Sequence, residues 1–370
     1  MNMLRTRIDL DAIAHNVRVL KRAAGQAQLM CVVKADAYGH GVERVVPVME
    51  KAGADLFGVA TIAEARRLRE LGTELPIMAW LWDAASPDAA VQVAEALADD
   101  IQLVASSLSH LRLLADANIP ATITLKVETG MHRNGIEPVD WHQAFALAKT
   151  EPHLTVRGLM SHLACADEPD NPANAAQLEQ FRDAIAQARA AGLEVPVNHI
   201  ANSAATLEFP DAHCQQVRPG IACYGLEPAD GYEHDLRPAM TWAANVLNVK
   251  PISMGEATSY GLTWSAEQDS YLAVVPCGYA DGLPRSVQGN LEVGISGKRY
   301  RQVGRVCMDQ ILVDLGENPW GVQPGDEAVL FGERGMSATE LAIATGTINY
   351  EIVTRPGGRT VREYEGGVQL

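Results

Sequence analysis

A lysine ends an apolar stretch near the amino terminus, in the sequence CVVKADAYGHG at residues 31–41. Lys34 is followed at once by small residues, a tyrosine and glycines. A lysine at a strand end is often a surface residue whose stem packs on apolar groups while its amine stays in water. A lysine held in a site can instead act as a nucleophile. The stretch alone leaves both interpretations open.

Further polar side chains stand at the ends of other apolar segments in the first two thirds of the chain. They are Lys126, Glu128, Arg133, Ser161, His162, His199, Asn202, Ser203 and Arg218. One such residue would indicate little, because most lone histidines near strand ends are structural. Several of them on successive segments are harder to explain by packing, and they predict a shared site.

The last of these segments carry groups that suit a phosphate. Ser203 offers a hydroxyl, and Gly220 and Ile221 offer backbone N–H groups with no bulky side chain at the glycine. Tyr38 offers a second hydroxyl close to Lys34. A lysine amine together with a phosphate cradle suits pyridoxal 5′-phosphate, which binds covalently to lysine.

Arg218 is the predicted partner of the cofactor's ring nitrogen. Because arginine keeps its proton in proteins, the ring nitrogen would stay unprotonated and the ring would be a weaker electron acceptor. That should disfavour transamination and favour quick return of a proton to the substrate.

The segments that carry these residues alternate with helical segments. The strand candidates are 29–35, 56–61, 76–81, 101–106, 121–128, 155–163, 196–203 and 216–225. Their near-continuous apolar runs are typical of parallel strands buried on both faces, and 62–71 and 174–192 show helical spacing. The pattern predicts an α/β fold with an N-terminal (β/α)8 TIM-type barrel, whose site lies at the carboxyl ends of the strands. An open doubly wound sheet is the alternative.

The pattern changes near residue 230. The segment EPADGYEHDLRP is polar and rich in turn residues, so it is interpreted as a linker. Short strands separated by turns follow, with a helical segment at 337–346. We therefore predict a cofactor-binding barrel over residues 1–232 and a mostly β domain over residues 233–370.

Composition limits the location and partners of the protein. The net charge of −16 argues against a nucleic-acid partner. The 6 cysteines are scattered without a CxxC pair, which predicts reduced thiols and a cytoplasmic location. The amino terminus lacks the apolar core of a signal peptide, and no run of about 18 apolar residues predicts a membrane span.

Motifs spread over essentially the whole chain resemble the alanine racemase family. They are VVKADAYGHG, LKVETGMHRNG, SHLACADEP, HIANSAA, VRPGIACYG, TSYGLTW, GYADGLPR, VGRVCMDQ and TINYE, in the family's order. Asp36 stands where the family usually has asparagine. Met160, His132 and the tryptophans of AWLW at 79–82 also depart from better-known members, but none of these changes removes a catalytic group.

The resemblance implies a pyridoxal-phosphate-dependent enzyme that interconverts L-alanine and D-alanine and supplies D-alanine for peptidoglycan. Lys34 would hold the cofactor and act as the base on one face of the substrate, with Tyr260 as the base on the other. His162 and the cationic surroundings would tune these bases. The family also implies a head-to-tail homodimer in which each site takes Tyr260 and Met308 from the other subunit.

The resemblance assigns roles to further residues. Arg133 and the backbone N–H of Met308 would hold the substrate carboxylate, Tyr279 would gate the site entrance, and Lys126 aligns with a lysine that can be carbamylated to position the arginine. The residues expected to bind the cofactor, besides Lys34, His162 and Arg218, are Tyr38, Asn202, Ser203, Gly220, Ile221 and Tyr350.

Four other functions remain as alternatives. A broader-specificity racemase or a decarboxylase can use the same fold. A non-catalytic pyridoxal-phosphate carrier would resemble only the barrel. A metal-dependent barrel hydrolase would use His162 and His199, but the sequence has no matching ligand spacing.

Overall fold

The computed structural model describes residues 2–229 and 231–367. It divides into two compact units. The barrel unit comprises Ala12–Ala37 and Val42–Arg237, and the β unit comprises the residues up to Asp11, Tyr38–Gly41 and those from Pro238 onward. The outer ends of the two predicted domains, residues 1 and 370, lie outside the described residues, as does residue 230 in the predicted linker.

The strands of the described chain are β1 Leu4–Asp9, β2 Gln28–Val32, β3 Leu56–Thr61, β4 Ile77–Leu81, β5 Ile101–Ala105, β6 Ala121–Lys126, β7 Leu154–Met160, β8 Gln216–Val217, β9 Met240–Asn245, β10 Asn248–Ile252, β11 Ala257–Thr258, β12 Trp264–Ser265, β13 Ser270–Val275, β14 Glu292–Ile295, β15 Lys298–Val303, β16 Ile311–Asp314, β17 Glu327–Phe331 and β18 Val361–Glu365. The helices are α1 Leu10–Ala24, α2 Lys34–Tyr38, α3 Val42–Ala52, α4 Ile62–Glu70, α5 Ala89–Ala98, α6 Leu108–Ala117, α7 Trp141–Thr150, α8 Pro172–Ala190, α9 Ser203–Glu208, α10 Ala338–Thr345 and α11 Asn349–Thr354. Short 3₁₀ turns lie at Pro138–Asp140, Pro210–Ala212, Ile221–Tyr224, Tyr260–Leu262, Tyr279–Asp281 and Arg285–Val287. None of these helices has the length and hydrophobicity to span a lipid bilayer.

The barrel unit contains a parallel sheet in the order β7-β6-β5-β4-β3-β2-β8. An extended segment at 197–201 lies between β7 and β8. His199 N–H donates to the Leu159 carbonyl at 3.0 Å, and Arg218 N–H donates to the Ala201 carbonyl at 3.0 Å. This segment therefore closes the ring, and the predicted barrel is confirmed. Each predicted strand overlaps a strand or this segment. The predicted strand 216–225 was too long, because β8 spans Gln216–Val217 and a 3₁₀ turn follows at Ile221–Tyr224, and the end of the predicted strand 29–35 lies in α2.

An apolar cluster fills the middle of the barrel. Its members are Met30, Leu56, Met78, Val104 and Met160, and Trp80 packs against it. Burying each such side chain contributes about 1.5–3 kcal/mol. Met160 and Trp80, two of the departures noted in the sequence, thus have a packing role inside the barrel.

The helices around the barrel begin and end where local chemistry predicts. Thr61 and Glu64 form a capping box at the start of α4, and Asn171 caps α8. Gly72 follows α4 with φ +89°, and Gly192 follows α8 with φ +90°. The helices predicted at 62–71 and 174–192 are confirmed within two residues at each end.

The β unit contains a sheet in the order β10-β13-β16-β15-β14-β17-β9-β1-β18. The predicted change to short strands separated by turns is confirmed, and most of these strands pair antiparallel. β1 is the exception to the expected division, because it pairs antiparallel with β9 and parallel with β18, although it precedes every barrel strand. Its alternating burial is typical of a sheet strand, but the sequence has no signal for its partners.

Candidate active site

Lys34 begins α2, which is a left-handed turn. The four residues after it, 35–38, have φ between 52° and 55°. This conformation costs an L-residue about 1–2 kcal/mol, so tertiary contacts must stabilise it. The backbone N–H of Ala35 donates to Glu64 Oε1 at 2.7 Å. The start of α4 therefore holds the backbone directly after the lysine.

Asp36 contributes a second contact that stabilises the turn. Its carboxylate accepts a hydrogen bond from Val42 N–H at 2.8 Å. Aspartate and asparagine tolerate positive φ better than most residues. The aspartate at a usual asparagine position can thus satisfy both the backbone conformation and the turn.

Arg218 follows β8 and is buried, with 5% of its surface exposed. Its guanidinium donates to His199 Nδ1 at 2.7 Å and to the Ser161 carbonyl at 2.6 Å. Burial and the Arg218 charge keep the pKa of His199 well below its usual value, so His199 accepts as a neutral ring. Burial lowers the pKa of Arg218 to about 9, which still leaves it protonated at neutral pH.

Lys34, Lys126 and His162 lie in the same positive environment. Burial, followed by the charge of Arg133, lowers the pKa of Lys34. Burial and the charges of Arg133 and Arg218 lower the pKa of Lys126 to about 8. The same influences hold the pKa of His162 well below its ordinary value. The carboxyl end of the barrel therefore favours anions and neutral amines.

Glu128 is a carboxylate near Lys126, and its hydrogen bonds come from the backbone. Burial raises its pKa, but backbone N–H groups at 129–132 outweigh this and lower the pKa overall. The negative charge of Glu128 raises the pKa of Lys126 and so offsets part of its lowering. Among the described residues Lys126 and Glu128 form no ion pair: both side chains are buried, and the loop backbone donates to the Glu128 carboxylate.

The predicted phosphate cradle comes together at the start of α9. Ser203 Oγ accepts from Gly220 N–H at 2.8 Å and from Ala222 N–H at 3.4 Å. Ile221 begins the adjacent 3₁₀ turn. The side-chain oxygen of Asn202 instead caps α9 by accepting from Ala205 N–H at 3.1 Å. Asn202 therefore orients the cradle rather than offering that oxygen to it.

Two predicted phosphate-binding tyrosines meet within the β unit. The ring centroids of Tyr38 and Tyr350 are 6.3 Å apart, with the planes tilted by 49°. Gly39 next to Tyr38 has φ +79°, and a Cβ there would lie 2.7 Å from the Val353 carbonyl oxygen. A glycine is needed so that the chain can approach α11 this closely.

Tyr260 and Met308 line one cavity of the β unit, with a volume of about 570 Å³. Both are exposed, Tyr260 by 71% and Met308 by 52%. The other residues of the wall are Ser259, Gly261, Cys307, Asp309 and Gln310. The candidate base and the candidate carboxylate-binding residue are thus neighbours on one open surface.

Tyr279 is connected by its backbone to the Met308 loop. Tyr279 N–H donates to the Cys307 carbonyl at 3.1 Å, and Ala280 N–H donates to the Met308 carbonyl at 3.1 Å. The Tyr279 side chain is 44% exposed and stands in a 3₁₀ turn. Tyr279 is therefore an exposed side chain of a turn and not a buried strand aromatic.

Two residues that stabilise this surface were not predicted from the sequence. Asp281 is fully buried and accepts from Arg359 Nε and Nη2, both at 2.8 Å. Nη1 of Arg359 donates to Asp309, next to Met308, at 2.7 Å. The aspartate in GYADG was the available signal, but its partner lies too far along the chain to be inferred.

The chain matches the family model described as "Alanine racemase, N-terminal domain" over residues 8–228. It matches "Alanine racemase, C-terminal domain" over residues 239–364. The chain belongs to the alanine racemase family.

Relatives named alanine racemase match this chain over nearly its full length. The alanine racemase of Corynebacterium efficiens is 57% identical over 99% of both chains. That of Mycobacterium tuberculosis strain H37Rv is 47% identical over 96% of this chain and 94% of the relative.

Solved structures of alanine racemases also resemble this chain over nearly its full length. The crystal structure of alanine racemase from Corynebacterium glutamicum has a TM-score of 0.90, 48% identity, and covers 99% of this chain and 100% of its own. That from Streptomyces lavendulae has a TM-score of 0.93, 42% identity, and covers 100% and 98%.

The remaining departures from better-known alanine racemases have local explanations. His132 has φ +53°, which a glycine adopts at lower cost. Trp82 Nε1 donates to the Val104 carbonyl at 2.9 Å, and its ring meets the His110 ring edge-on at 4.2 Å. Trp82 therefore helps to build the loop after β4, and neither His132 nor Trp82 replaces a candidate catalytic group.

Proposed function

We propose that this protein interconverts L-alanine and D-alanine with pyridoxal 5′-phosphate as its cofactor. Its family membership and full-length relatives named alanine racemase support the reaction. The observation that carries the cofactor assignment is Arg218, a buried cation whose hydrogen-bond partners are a neutral histidine and a carbonyl. Such a group suits a neutral ring nitrogen as a ligand.

The barrel residues fit the cofactor. Ser203 Oγ and the Gly220 N–H already converge, and a phosphate can take the place of that internal hydrogen bond. Lys34, with its lowered pKa, is the candidate for covalent attachment. Tyr38 and Tyr350 are proposed to add hydroxyls to the phosphate. When bound, pyridoxal phosphate withdraws electrons from the substrate and acidifies its α-proton.

Two bases on opposite faces would complete racemisation. Lys34 takes or returns the α-proton on one face, and Tyr260 does so on the other. The lowered pKa of Lys34 raises its neutral fraction, which is the form that can accept a proton. His162 stays neutral because its pKa is depressed, so it adds no further positive charge.

The substrate carboxylate would be held by Arg133 and the backbone N–H of Met308. We propose that Lys126 is carbamylated, because only a neutral amine reacts with carbon dioxide and the pKa of Lys126 is lowered to about 8. The resulting carboxylate would compensate part of the local positive charge and orient Arg133. Tyr279 would control access to the substrate.

We further propose the head-to-tail homodimer, in which Tyr260 and Met308 serve the site of the partner subunit. Their high exposure supports this, since a base must be shielded from water to act selectively. The division into a barrel domain over 1–232 and a β domain over 233–370, the cytoplasmic location and the role in peptidoglycan precursor supply also stay predictions.

The cofactor and the activity are tested together with Lys34→Ala. The wild-type protein, purified with added pyridoxal phosphate, should show a visible absorption band that borohydride abolishes, and Lys34→Ala should lack both band and racemisation. Lys51→Ala, which changes an exposed lysine of α3, should keep both. A colourless wild-type protein that takes up no cofactor would refute the proposal.

Substrate assays separate the alternatives. D-enantiomer formation from alanine but not from serine, lysine or arginine supports the proposal, and comparable rates with all four indicate a broader-specificity racemase. Release of carbon dioxide and an amine would indicate a decarboxylase. The carrier alternative is disfavoured because the C-terminal family model also matches.

A further inference from the structure

The inward-facing side chains of the barrel form layers. Residues two apart on a strand share a face, so Gln28 lies below Met30, Gln102 below Val104, and Gln216 below Arg218. The middle layer is the apolar cluster that contains Met30 and Val104. The layer towards the amino ends of the strands is therefore polar, although a barrel interior is normally filled with apolar side chains.

We call this layer the barrel floor and define it by Gln28, Gln102, Arg157 and Gln216. Gln28 and Gln216 are register partners on neighbouring strands. Arg157 lies at the irregularity in the pairing of β6 and β7, and its Nη2 donates to Gln28 Oε1 at 2.6 Å. The guanidinium thus contacts Gln28, the register partner of Gln216.

Several buried polar atoms of the barrel floor have no hydrogen-bond partner in the described chain. They are Gln102 Oε1, Arg157 Nε, and both Oε1 and Nε2 of Gln216. Thr124 Oγ1, at the level of Val104 in the apolar cluster, also has no partner there. Gln216 is fully buried. Buried polar side chains are nearly always hydrogen-bonded, so a whole buried amide without a partner indicates that something else binds there.

The positive charge of Arg157 favours an anion over water as that ligand. Burial lowers the pKa of Arg157, and no carboxylate contributes to it. Among the described residues no acidic side chain pairs with Arg157. Water can satisfy the amide of Gln216, but it leaves the charge of Arg157 without a counter-ion. An anion can accept hydrogen bonds from the Gln216 amide and also balance the charge of Arg157.

We propose that the barrel floor binds one small inorganic anion, of the chloride class, between Arg157 Nε and the side-chain N–H groups of Gln216. Water completes the contacts to Gln102 and Thr124. Gln28, Gln102 and Arg157 are only partly buried, so the anion can enter from the amino-terminal end of the barrel. The site lies on the opposite side of the apolar cluster from Lys126 and Arg218.

Thermal unfolding of the cofactor-loaded enzyme tests the site. At equal ionic strength, the midpoint should rise with increasing sodium chloride but not with sodium gluconate, whose anion is too large, because a ligand that binds the folded state stabilises it. In Arg157→Met we expect this chloride-specific shift to disappear. The matched control is Arg182→Met, an exposed arginine of α8, which should keep it. Equal responses to both salts in the wild type would refute the proposal.

A second variant covers the case in which Arg157→Met does not fold. Gln216→Glu places a permanent carboxylate beside Arg157 at nearly unchanged volume, and we expect it to fold and lose the chloride-specific shift. Crystals grown in sodium bromide should show an anomalous peak within hydrogen-bonding distance of Arg157 Nε and Gln216. Water alone at that position, or a retained chloride shift in Gln216→Glu, would overturn the proposal.

Discussion

The two units carry their candidate site residues in opposite ways. In the barrel unit, Arg218 and Ser203 are 5% and 3% exposed and are hydrogen-bonded to neighbouring strand ends. In the β unit, Tyr260 and Met308 are 71% and 52% exposed. A buried polar group has to be satisfied within its own unit, so the fold fixes its position.

This difference suits the two units to different proposed roles, cofactor binding in the barrel unit and proton transfer by an exposed tyrosine in the β unit. In the barrel unit, polar groups already converge in the single chain, because Ser203 Oγ accepts from Gly220 N–H and Arg218 donates to His199 and to the Ser161 carbonyl. The β side supplies a tyrosine whose surroundings in the single chain are largely solvent. Its proposed catalytic role therefore depends on a surface that covers it, which agrees with the proposed exchange of Tyr260 between subunits.

The largest expected effect comes from removing the hydroxyl of the exposed base. In Tyr260→Phe we expect kcat to fall by about 10²–10⁴-fold, the usual contribution of a general base, with the cofactor absorption band unchanged. Tyr271→Phe, another exposed tyrosine of the β unit, should retain activity. Racemisation near the wild-type rate in Tyr260→Phe would show that the β side supplies no base.

A smaller effect should follow from loosening the β side. Arg359→Gln releases Asp309, next to Met308, from Asp281, and this should displace the Met308 backbone N–H that is proposed to hold the substrate carboxylate. We expect KM for L-alanine to rise by about tenfold and kcat to change less, because Met308 is proposed to hold the substrate carboxylate. Arg334→Gln, at an exposed position, is the control. A fall in kcat alone would contradict this role.

The same contrast explains what could be predicted from the sequence. Barrel strands are buried on both faces, so their apolar runs were visible and the polar residues that follow them were found. The pairing of β1 with β9 and β18, and of Asp281 with Arg359, joins distant parts of the chain. Neither leaves a local pattern, and both were missed.

The left-handed turn after Lys34 was missed for another reason. Alanine, aspartate, alanine and tyrosine at 35–38 do not favour positive φ as glycine does. The conformation is imposed by tertiary hydrogen bonds such as Ala35 N–H to Glu64. Local propensity is overridden next to the residue that is proposed to do the chemistry, where strained backbone is often found.

Glu64 tests whether that turn matters on the barrel side. Glu64→Ala should lower the free energy of unfolding by about 1 kcal/mol, as loss of a helix cap does, and reduce kcat because Lys34 is less well oriented. Glu64→Gln should recover most of kcat, since its carbonyl oxygen can still accept from Ala35 N–H. Glu70→Ala, at the exposed end of the same helix, should leave kcat unchanged. If both Glu64 variants keep wild-type kcat and pH profile, the turn is only structural.

The smallest effect concerns the predicted linker, where His234 bridges two carboxylates. Its ring nitrogens lie 2.7 Å from Glu227 and 2.6 Å from Glu208. A neutral ring has one N–H, so donating to both requires the imidazolium. Burial opposes that charge, but hydrogen bonds and charges from Glu227 and Glu208 outweigh it and raise the pKa of His234.

The sign of the pH dependence follows from that raised pKa. The stabilisation of the folded state by the charged His234 bridge is complete at pH values below the ordinary histidine pKa of 6.5. It is lost as the pH rises through the pKa of His234 in the folded state. His234→Gln should therefore cost about 0.5–1 kcal/mol near pH 5.5 and little near pH 9, as expected for a partly exposed pair. Chemical denaturation at both pH values measures this, with the exposed His142→Gln as control. A larger cost at high pH would mean that the bridge is not ionic. The linker would then be held by the neutral contacts of its backbone, such as Arg237 N–H to Asn16 at 2.7 Å.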